Sequence, residues 1–456
     1  MEESTAVTET PTDVNDTCSS AEEYQTSEDV LTKLGWKNFK LCYVIVLLSF
    51  VWGLIALSIM STDFVVHGIQ CLPNLNDSKC EEDSIKFNSI NKEFDLDPDS
   101  LYSGDLFLTV YFLGNMLVGT FLSLLADIIG RRYIVIGSLL GLGIFGVGCS
   151  FCTSFPLLLA IRFLQGCFFT PGMIVTWVLA SECISISYHA AASTFFTLLW
   201  VVGYCIVPGV AYFLPDWSHI MLAISIPSIL FAFILLFTIP ESFHFLIDKK
   251  KEKAAQKWVE KFETEKKKLD CNAAQLIERI DAKEKLEGEK SKTNCSASLQ
   301  FLWDHKKYIC FLFALTLLWI IDLLIYNSVS LLSTHLSNNP YLSFLYSGIA
   351  EMPACFILPL AVNWIGSNET AYTILWLLGK LGISICMNSL FVYGAEIFPP
   401  IIRSTCLGTA SFFGNIGGMI PFQTNTFLAQ LHPIVPVAFY SFLSLVGGAI
   451  TFALPK

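Results

Sequence analysis

Four charged residues lie inside long apolar stretches of this sequence, where a charge needs a specific role. They are Arg162, Asp322, Glu351 and Lys380. At the centre of a lipid bilayer a charged side chain costs about 2.5 to 3.5 kcal/mol, so such residues mark solute pathways or internal ion pairs. Glu351 is the strongest candidate for a group that faces a central cavity. Its alternative role is structural, either as a partner of Lys380 or at a helix kink.

Neutral polar and aromatic residues in the same apolar stretches are further candidates for contact with a small solute. They are Thr170, Trp177, Tyr326, Asn388 and Asn415. Aromatic faces attract organic cations by about 0.5 to 2 kcal/mol per contact, although ordinary helix packing is the alternative role of each ring. With Glu351 as the well-placed acid, this set favours a cation or zwitterion over an anion.

The sequence gives no support to several other kinds of chemistry. It contains no nucleotide-binding loop, catalytic triad or zinc-type cysteine spacing, so we expect neither an enzyme nor a metal or other cofactor. It has no basic stripe with interleaved aromatics, so nucleic acid is not an expected partner. Most of the 15 cysteines lie in apolar runs. Cys71 and Cys80 share a polar segment, where a disulfide and two free thiols are equally expected.

Long apolar helices must position these residues. The chain has 456 residues, of which 54% are hydrophobic and 15% charged, whereas soluble domains have roughly a quarter charged residues. A membrane span needs about 20 mostly apolar residues. Eleven stretches meet this condition, near 41–61, 105–125, 133–153, 156–178, 190–212, 218–239, 308–330, 341–363, 371–394, 404–428 and 433–454. We therefore predict an all-α protein that crosses a membrane many times and contacts lipid.

Polar segments divide these spans into two halves. We predict a cytoplasmic tail at 1–40, a six-helix half at 41–239 with an outer loop at 62–104, a cytoplasmic linker at 240–307, and a second half at 308–456. Sixteen of the 28 Lys and Arg residues lie in the linker, and an excess of basic residues marks the cytoplasmic side. The outer loop then lies outside, where the sequon at Asn76 can be glycosylated.

The turn after the second span carries a known pattern. The residues S-L-L-A-D-I-I-G-R-R at 123–132 resemble the major facilitator loop G-x-L-x-D-R-x-G-R-R, apart from the first and sixth positions. The match supplies Asp127, Gly130, Arg131 and Arg132. An arginine pair beside an aspartate at a helix end can form a clasp that breaks and re-forms, while its alternative role is a cytoplasmic anchor.

Further motifs resemble the organic cation/anion transporter family (solute carrier family 22). The motifs are R-F-L-Q-G at 162–166, P-E-S-F-H-F-L-I at 240–247 and A-E-I-F-P-P-I-I-R at 395–403. Glu182 follows the span that the first motif opens. With it, the motifs add Glu182, Glu241, Glu396 and Arg403 to the gating residues. The resemblance implies a plasma-membrane carrier for small organic ions whose two halves rock around a central site. It leaves the oligomeric state open.

The chain departs from this family pattern in two ways. His189 and His244 stand where the family has arginine, and a neutral histidine holds a carboxylate less well, so we expect a weaker clasp. The family has about 12 spans, but here 364–370 leads directly into the helix that resembles the tenth, which would place Arg403 outside although its motif requires it inside. Either the gene model lacks an exon or the second half is disrupted. The alternative function is therefore a non-transporting or regulatory member of the family.

Overall fold

The computed structural model describes residues 26–35, 38–69, 84–97, 102–263, 273–287, 306–333, 339–351, 400–421 and 435–453, with 382, 383, 386, 390 and 428. Within these ranges every named element is a helix. One isolated bridge joins Asn88 to Asp216. This part of the chain confirms the all-α prediction.

The helices are numbered in chain order. The first half contains α1 (Ser27–Leu34), α2 (Phe39–His67), α3 (Leu106–Ile129), α4 (Arg131–Ser150), α5 (Phe155–Ser181), α6 (His189–Phe213) and α7 (Trp217–Thr238). The linker contains α8 (Phe243–Asp248), α9 (Glu252–Phe262) and α10 (Ala273–Glu287). The second half contains α11 (Lys306–Leu332), α12 (Pro340–Glu351), α13 (Pro400–Met419) and α14 (Val435–Ala453). A one-turn helix, Ile90–Glu93, lies in the outer segment.

Seven of the described helices are long and apolar enough to cross a membrane, which confirms a protein of many spans. They are α2 to α7 and α11, and they coincide with the first seven predicted spans within a few residues. Helix α2 continues to His67, so the outer segment begins later than the predicted boundary at 62. The predicted span at 371–394 and the question of a missing helix lie outside the described residues.

The linker, which is predicted to be cytoplasmic, folds back onto the first half through α9. The apolar residues Ala255, Trp258, Val259 and Phe262 recur at helical spacing and are buried, while the lysines of α9 are exposed. The ammonium of Lys40 donates a hydrogen bond to the carbonyl of Lys261 at 2.6 Å. A cation at a helix C-terminus is stabilised by the unpaired carbonyls and the helix dipole.

Two spans of the first half contain a wider, π-helical turn. These turns are Asn115–Gly119 in α3 and Pro171–Val175 in α5. They face each other, since the backbone N of Thr170 donates to Oδ1 of Asn115 at 3.0 Å. Such turns release backbone and side-chain groups from regular helix packing and are frequent at functional sites.

Candidate functional site

A buried hydrogen-bonded chain joins the two halves at two of the predicted pathway residues. Trp200 Nε1 donates to the Tyr326 hydroxyl at 3.0 Å, and that hydroxyl donates to Glu351 Oε2 at 3.3 Å. Tyr326 is 8% exposed and Glu351 is 5% exposed. A hydroxyl has one proton, so these two contacts fix Glu351 as an acceptor at the junction of α6, α11 and α12. Here the structure places an acid beside the polar edges of two aromatic residues.

A second polar contact between the halves involves Asn415. Asn115 Nδ2 donates to Asn415 Oδ1 at 2.8 Å, and Asn415 Nδ2 donates to the carbonyl of Ser411 at 3.0 Å. Both asparagines are buried. Together with the bond from Thr170 to Asn115, these contacts orient both amides, so this wall of the site offers hydrogen bonds and no net charge. Thr170 contributes its backbone and is itself 6% exposed.

Trp177 belongs to an aromatic wall within the first half. Its ring lies edge-on to Phe196, with centroids 5.4 Å apart. Phe196 lies 5.2 Å from Trp52, and Trp52 lies 6.5 Å from Trp200. The wall therefore runs from Trp177 on α5 to the residue that bonds Tyr326. Asn388, the remaining predicted pathway residue, lies outside the described residues.

Beyond this site, toward the predicted outer side, the halves are joined by contacts that we call the outer seam. Its first part pairs α3 with α13: Thr109 Oγ1 donates to the carbonyl of Met419 at 2.9 Å. A Cβ on Gly418 would collide with the ring of Phe112, so glycine lets the two helices approach here.

The second part of the outer seam pairs α6 with α12 through aromatic rings. Tyr204 stacks on Phe344 with centroids 4.6 Å apart, and the Tyr204 hydroxyl bonds Ser347 Oγ at 3.0 Å. Nearer the helix ends, Tyr212 lies edge-on to Tyr341 at 5.5 Å. These rings therefore fill the gap between α6 and α12 on the predicted outer side.

The seam also orients α13. Thr109 meets Met419 and Asn115 meets Asn415, so α3 and α13 run antiparallel. Helix α3 starts on the predicted outer side and ends at the G-R-R turn. This places the first residues of α13 on the same side as that turn, which is the predicted cytoplasmic side. The start of α13 therefore lies where the motif requires Arg403. Glu396 and the Arg403 side chain lie outside the described residues, as do Asn76, Cys71 and Cys80.

On the predicted cytoplasmic side, the predicted gating residues of the first half form a charged cluster that we call the clasp. Arg131 Nη2 lies 2.9 Å from Asp127 Oδ1, and its Nε lies 3.1 Å from Glu182 Oε2. Glu182 also accepts from the Ser242 hydroxyl. The Arg131 and Glu182 side chains are 11% and 21% exposed, but Asp127 is 71% exposed. The Arg131–Glu182 pair is therefore the protected part of the clasp.

Glu241 completes the clasp by capping α4. Its Oε1 accepts from the backbone N of Arg132 at 3.1 Å, and a carboxylate is favoured at a helix N-terminus. Gly130 precedes α4 with φ of +123°, and a Cβ there would meet the Glu241 carboxylate. Only glycine satisfies both the backbone conformation and the close approach.

The two histidines that stand where the family has arginine make hydrogen bonds to groups outside the clasp. His244 Nδ1 lies 3.0 Å from the hydroxyl of Ser27 on α1, and His189 Nε2 lies 3.1 Å from the carbonyl of Ser181. Glu28 of α1 accepts from the Ser185 hydroxyl at 2.6 Å. Helix α1, inside the segment predicted as a tail, thus docks on the clasp region and supplies contacts beside both histidines.

Two intramembrane charges occupy different surroundings. Arg162 is fully buried, donates to Gln165 at 2.6 Å, and lies 4.2 Å from the Phe107 ring centroid, in keeping with a structural role. Asp322 is 3% exposed and lies one helical turn before Tyr326 on α11. Lys380 lies outside the described residues. In the part of the chain that the structure describes, no group of three His, Cys, Asp or Glu could hold a metal ion.

Sequence reasoning did not identify Trp200 and Asn115, the first-half partners of Tyr326 and Asn415. Asn115 has a weak signal, a polar residue within an apolar span. Trp200 has none, because tryptophan is common in apolar helices. Their role is visible only where the two halves meet.

Two helical halves around a central polar site define a membrane transporter of the major facilitator class. The family model "Sugar (and other) transporter" matches residues 47–343. This chain belongs to that family.

Individual relatives agree with this assignment. A Caenorhabditis elegans protein described as a candidate transporter is 30% identical over 459 residues, covering 96% of this chain and 90% of that protein. Solute carrier family 22 member 3 of Mus musculus is 28% identical and covers 81% of this chain and 69% of its own length. Human organic anion transporter 3 is 26% identical, and the match covers 81% of this chain and 72% of that protein. The resemblance to solute carrier family 22 is confirmed.

Solved structures support the same fold. The proton:xylose symporter XylE bound to 6-bromo-6-deoxy-D-glucose superposes with a TM-score of 0.59 at 16% identity, covering 91% of this chain and 95% of that one. A partially occluded inward open form of XylE from E. coli gives a TM-score of 0.59 at 13% identity, covering 92% and 100%. The major facilitator fold predicted from the motifs is confirmed.

Proposed function

We propose that this membrane transporter moves small organic ions, cations or zwitterions before anions, across the plasma membrane by alternating access. The observation that carries the proposal is the Trp200–Tyr326–Glu351 chain, which sets a buried carboxylate among aromatic rings between the two halves. A carboxylate and aromatic faces together attract a cationic head group. Asn115 and Asn415 add neutral hydrogen bonds, which suit an accompanying polar group.

The closed outer seam supports alternating access as the mechanism. Seam contacts join the halves on the predicted outer side, while the clasp residues that the structure describes belong to the first half and its junction with the linker. Separation of the seam and approach of the cytoplasmic ends would expose Glu351 to the other side. Solute bound at the junction would cross without any covalent step.

The test is uptake of labelled organic cations, zwitterions and anions by cells in which surface expression of the chain has been verified. Glu351→Gln should lower cation uptake by about tenfold or more, because the substrate charge loses its buried partner. Asp248→Asn is the matched control: it makes the same acid-to-amide change at an exposed cytoplasmic residue and should leave uptake unchanged.

Two results would count against the proposal. Cation uptake that survives Glu351→Gln would show that the carboxylate does not select the substrate. Absence of uptake for all three classes by the surface-expressed protein would favour the alternative, a non-transporting or regulatory member of the family.

A further inference from the structure

The buried asparagine pair between the halves is locked in one orientation on each side. Asn115 Oδ1 accepts from the backbone N of Thr170 at 3.0 Å, which turns its Nδ2 toward the second half. Asn415 Nδ2 donates to the carbonyl of Ser411, one turn earlier on α13, at 3.0 Å, which turns its Oδ1 toward the first half. An amide side chain has one donor end and one acceptor end. The first half therefore presents a donor and the second half an acceptor, and the two meet at 2.8 Å.

This pair is shielded from water. The two asparagines are 0% and 4% exposed. One turn further out, the ring of Phe112 lies only 2.7 Å from the place that a Cβ on Gly418 would occupy, so apolar packing closes the interface on that side. A buried amide that loses its hydrogen-bond partner is costly. Both amide ends therefore need a new partner in any state in which α3 and α13 separate.

The pair lies at nearly the same depth as the carboxylate of the candidate site. Asn115 lies nine residues after the start of α3, and Glu351 lies eleven residues after the start of α12. Both helices start on the predicted outer side, and a helix rises about 1.5 Å per residue, so the two depths differ by about 3 Å. Helix α13 also packs closely on α11, where Gly417 leaves room for the carbonyl of Ile320. The pair therefore stands at the level of the acid, beside the helix that carries Tyr326.

We propose that the transported ion carries, besides its positive charge, one neutral group that both accepts and donates a hydrogen bond, such as a hydroxyl or an amide. When the outer seam is open, this group stands between the separated amides, accepting from Asn115 and donating to Asn415. When the seam closes, the two amides bond each other again and displace the group. The inference rests on the proposed function, and it makes Asn115 a specificity-determining residue.

Water sets the size of the expected discrimination. A water molecule also donates and accepts, so it can fill the gap between the separated amides when no solute is bound. A solute with a matching group replaces this water and keeps both hydrogen bonds. A solute with an apolar group at that position displaces the water and leaves the amide ends unpaired. Each hydrogen bond that the solute fails to make should therefore lower uptake by about tenfold.

The test compares uptake of four quaternary ammonium ions of equal charge by cells with verified surface expression. Choline has a hydroxyl that donates and accepts, and propyltrimethylammonium is its apolar partner of equal size. The methyl ether of choline only accepts, and butyltrimethylammonium is its apolar partner. At concentrations far below saturation, uptake of choline should exceed that of the propyl compound by about a hundredfold, and uptake of the ether should exceed that of the butyl compound by about tenfold.

Two variants should change these ratios in different ways. Asn415→Leu removes the acceptor, so the choline ratio should fall to about tenfold while the ether ratio stays. Asn115→Asp keeps an oxygen for the Thr170 backbone N and replaces the donor with an acceptor, so the ether ratio should fall to about one while choline keeps an advantage. The charge that aspartate adds cancels, because each ratio compares ions of equal charge. Asn339→Asp, the same change at an exposed residue that caps α12, is the control and should leave both ratios unchanged.

The outcomes separate this inference from the proposed function. Uptake of all four ions with both ratios near one would overturn the inference and leave the proposed function in place. Wild-type ratios in both variants would place the polar group of the substrate away from the asparagine pair and would also overturn it. Absence of uptake for all four ions would count against both. One variant at the cell surface is enough to decide, because each predicts its own pattern of ratios.

Discussion

The outer seam and the cytoplasmic clasp hold helices together with different chemistry. The seam is neutral: a threonine–carbonyl bond, a tyrosine–serine bond and packed aromatic rings. The clasp is charged, with Arg131 between two acids. Neutral hydrogen bonds and ring pairs each contribute about 0.5 to 1.5 kcal/mol, so a seam of such contacts can separate without leaving a charge unpaired.

The difference also follows the division of the chain. The seam joins residues of the two halves, whereas the described clasp holds α4, α5 and the start of the linker in one arrangement. Opening the clasp would leave Glu182 without its guanidinium in a partly buried position, which costs more than parting two neutral surfaces. We infer that the seam is the working interface and that the clasp keeps the first half rigid while it moves.

The largest expected effect comes from blocking the seam. Gly418→Trp would place an indole against Phe112 and prevent α3 and α13 from closing, so uptake should fall by about tenfold or more at equal surface expression. Gly448→Trp is the control, because a side chain there meets open space. Normal uptake by Gly418→Trp would show that the seam need not close.

A smaller effect is expected from the clasp. Arg131→Met removes the guanidinium from Glu182 and should lower the unfolding free energy by about 2 kcal/mol, measured as a lower melting temperature of the purified protein. Arg132→Met is the matched control. It removes a guanidinium that donates to the carbonyl of Leu236 and has no acid partner, and it keeps the Glu241 contact, which uses the backbone N. Equal melting temperatures for the two variants would show that the Arg131–Glu182 pair does not stabilise the clasp, and that both arginines act only as a general basic anchor.

The smallest effect is expected from Asp216, an acidic residue on the predicted outer side. Asp216 caps α7 through the backbone N of Ser218 at 2.9 Å. Partial burial acts to raise the pKa of this carboxyl, but hydrogen bonds from Ser218 and Asn88 hold the pKa below its ordinary value of 3.8. A lowered pKa means that the stabilisation is present above the ordinary value and is lost as pH falls through the lowered one.

Acidification from about pH 6 to about pH 3 should therefore lower the melting temperature slightly more for the wild type than for Asp216→Asn. The asparagine keeps a helix-capping oxygen and has no proton to gain. If the melting temperatures of the two proteins depend on pH in the same way, the charge of Asp216 does not stabilise the protein.

Local sequence signals predicted the spans and much of the clasp. Apolar runs located α2 to α7 and α11, and the motifs placed Gly130, Arg131, Glu182 and Glu241 in one cluster. These signals are readable because a bilayer imposes a length and composition on each span, and because a turn needs particular residues within a few positions.

Contacts between helices distant in sequence were not predictable in the same way. Asn115 pairs with a residue 300 positions away and Trp200 with one 126 positions away. Helix α1 looked like part of an acidic tail, yet its buried Val30, Leu31 and Leu34 show that it packs on the body of the protein.

The sequence by itself determined that this chain is a many-span helical carrier, because hydropathy and turn chemistry act over short stretches. Only the tertiary structure decided which polar groups meet between the halves. Glu351 became the acid of the candidate site because Trp200 and Tyr326 join it there, and Asn115 and Asn415 became neighbours through packing. Such pairings depend on how whole helices are placed, which no local pattern specifies.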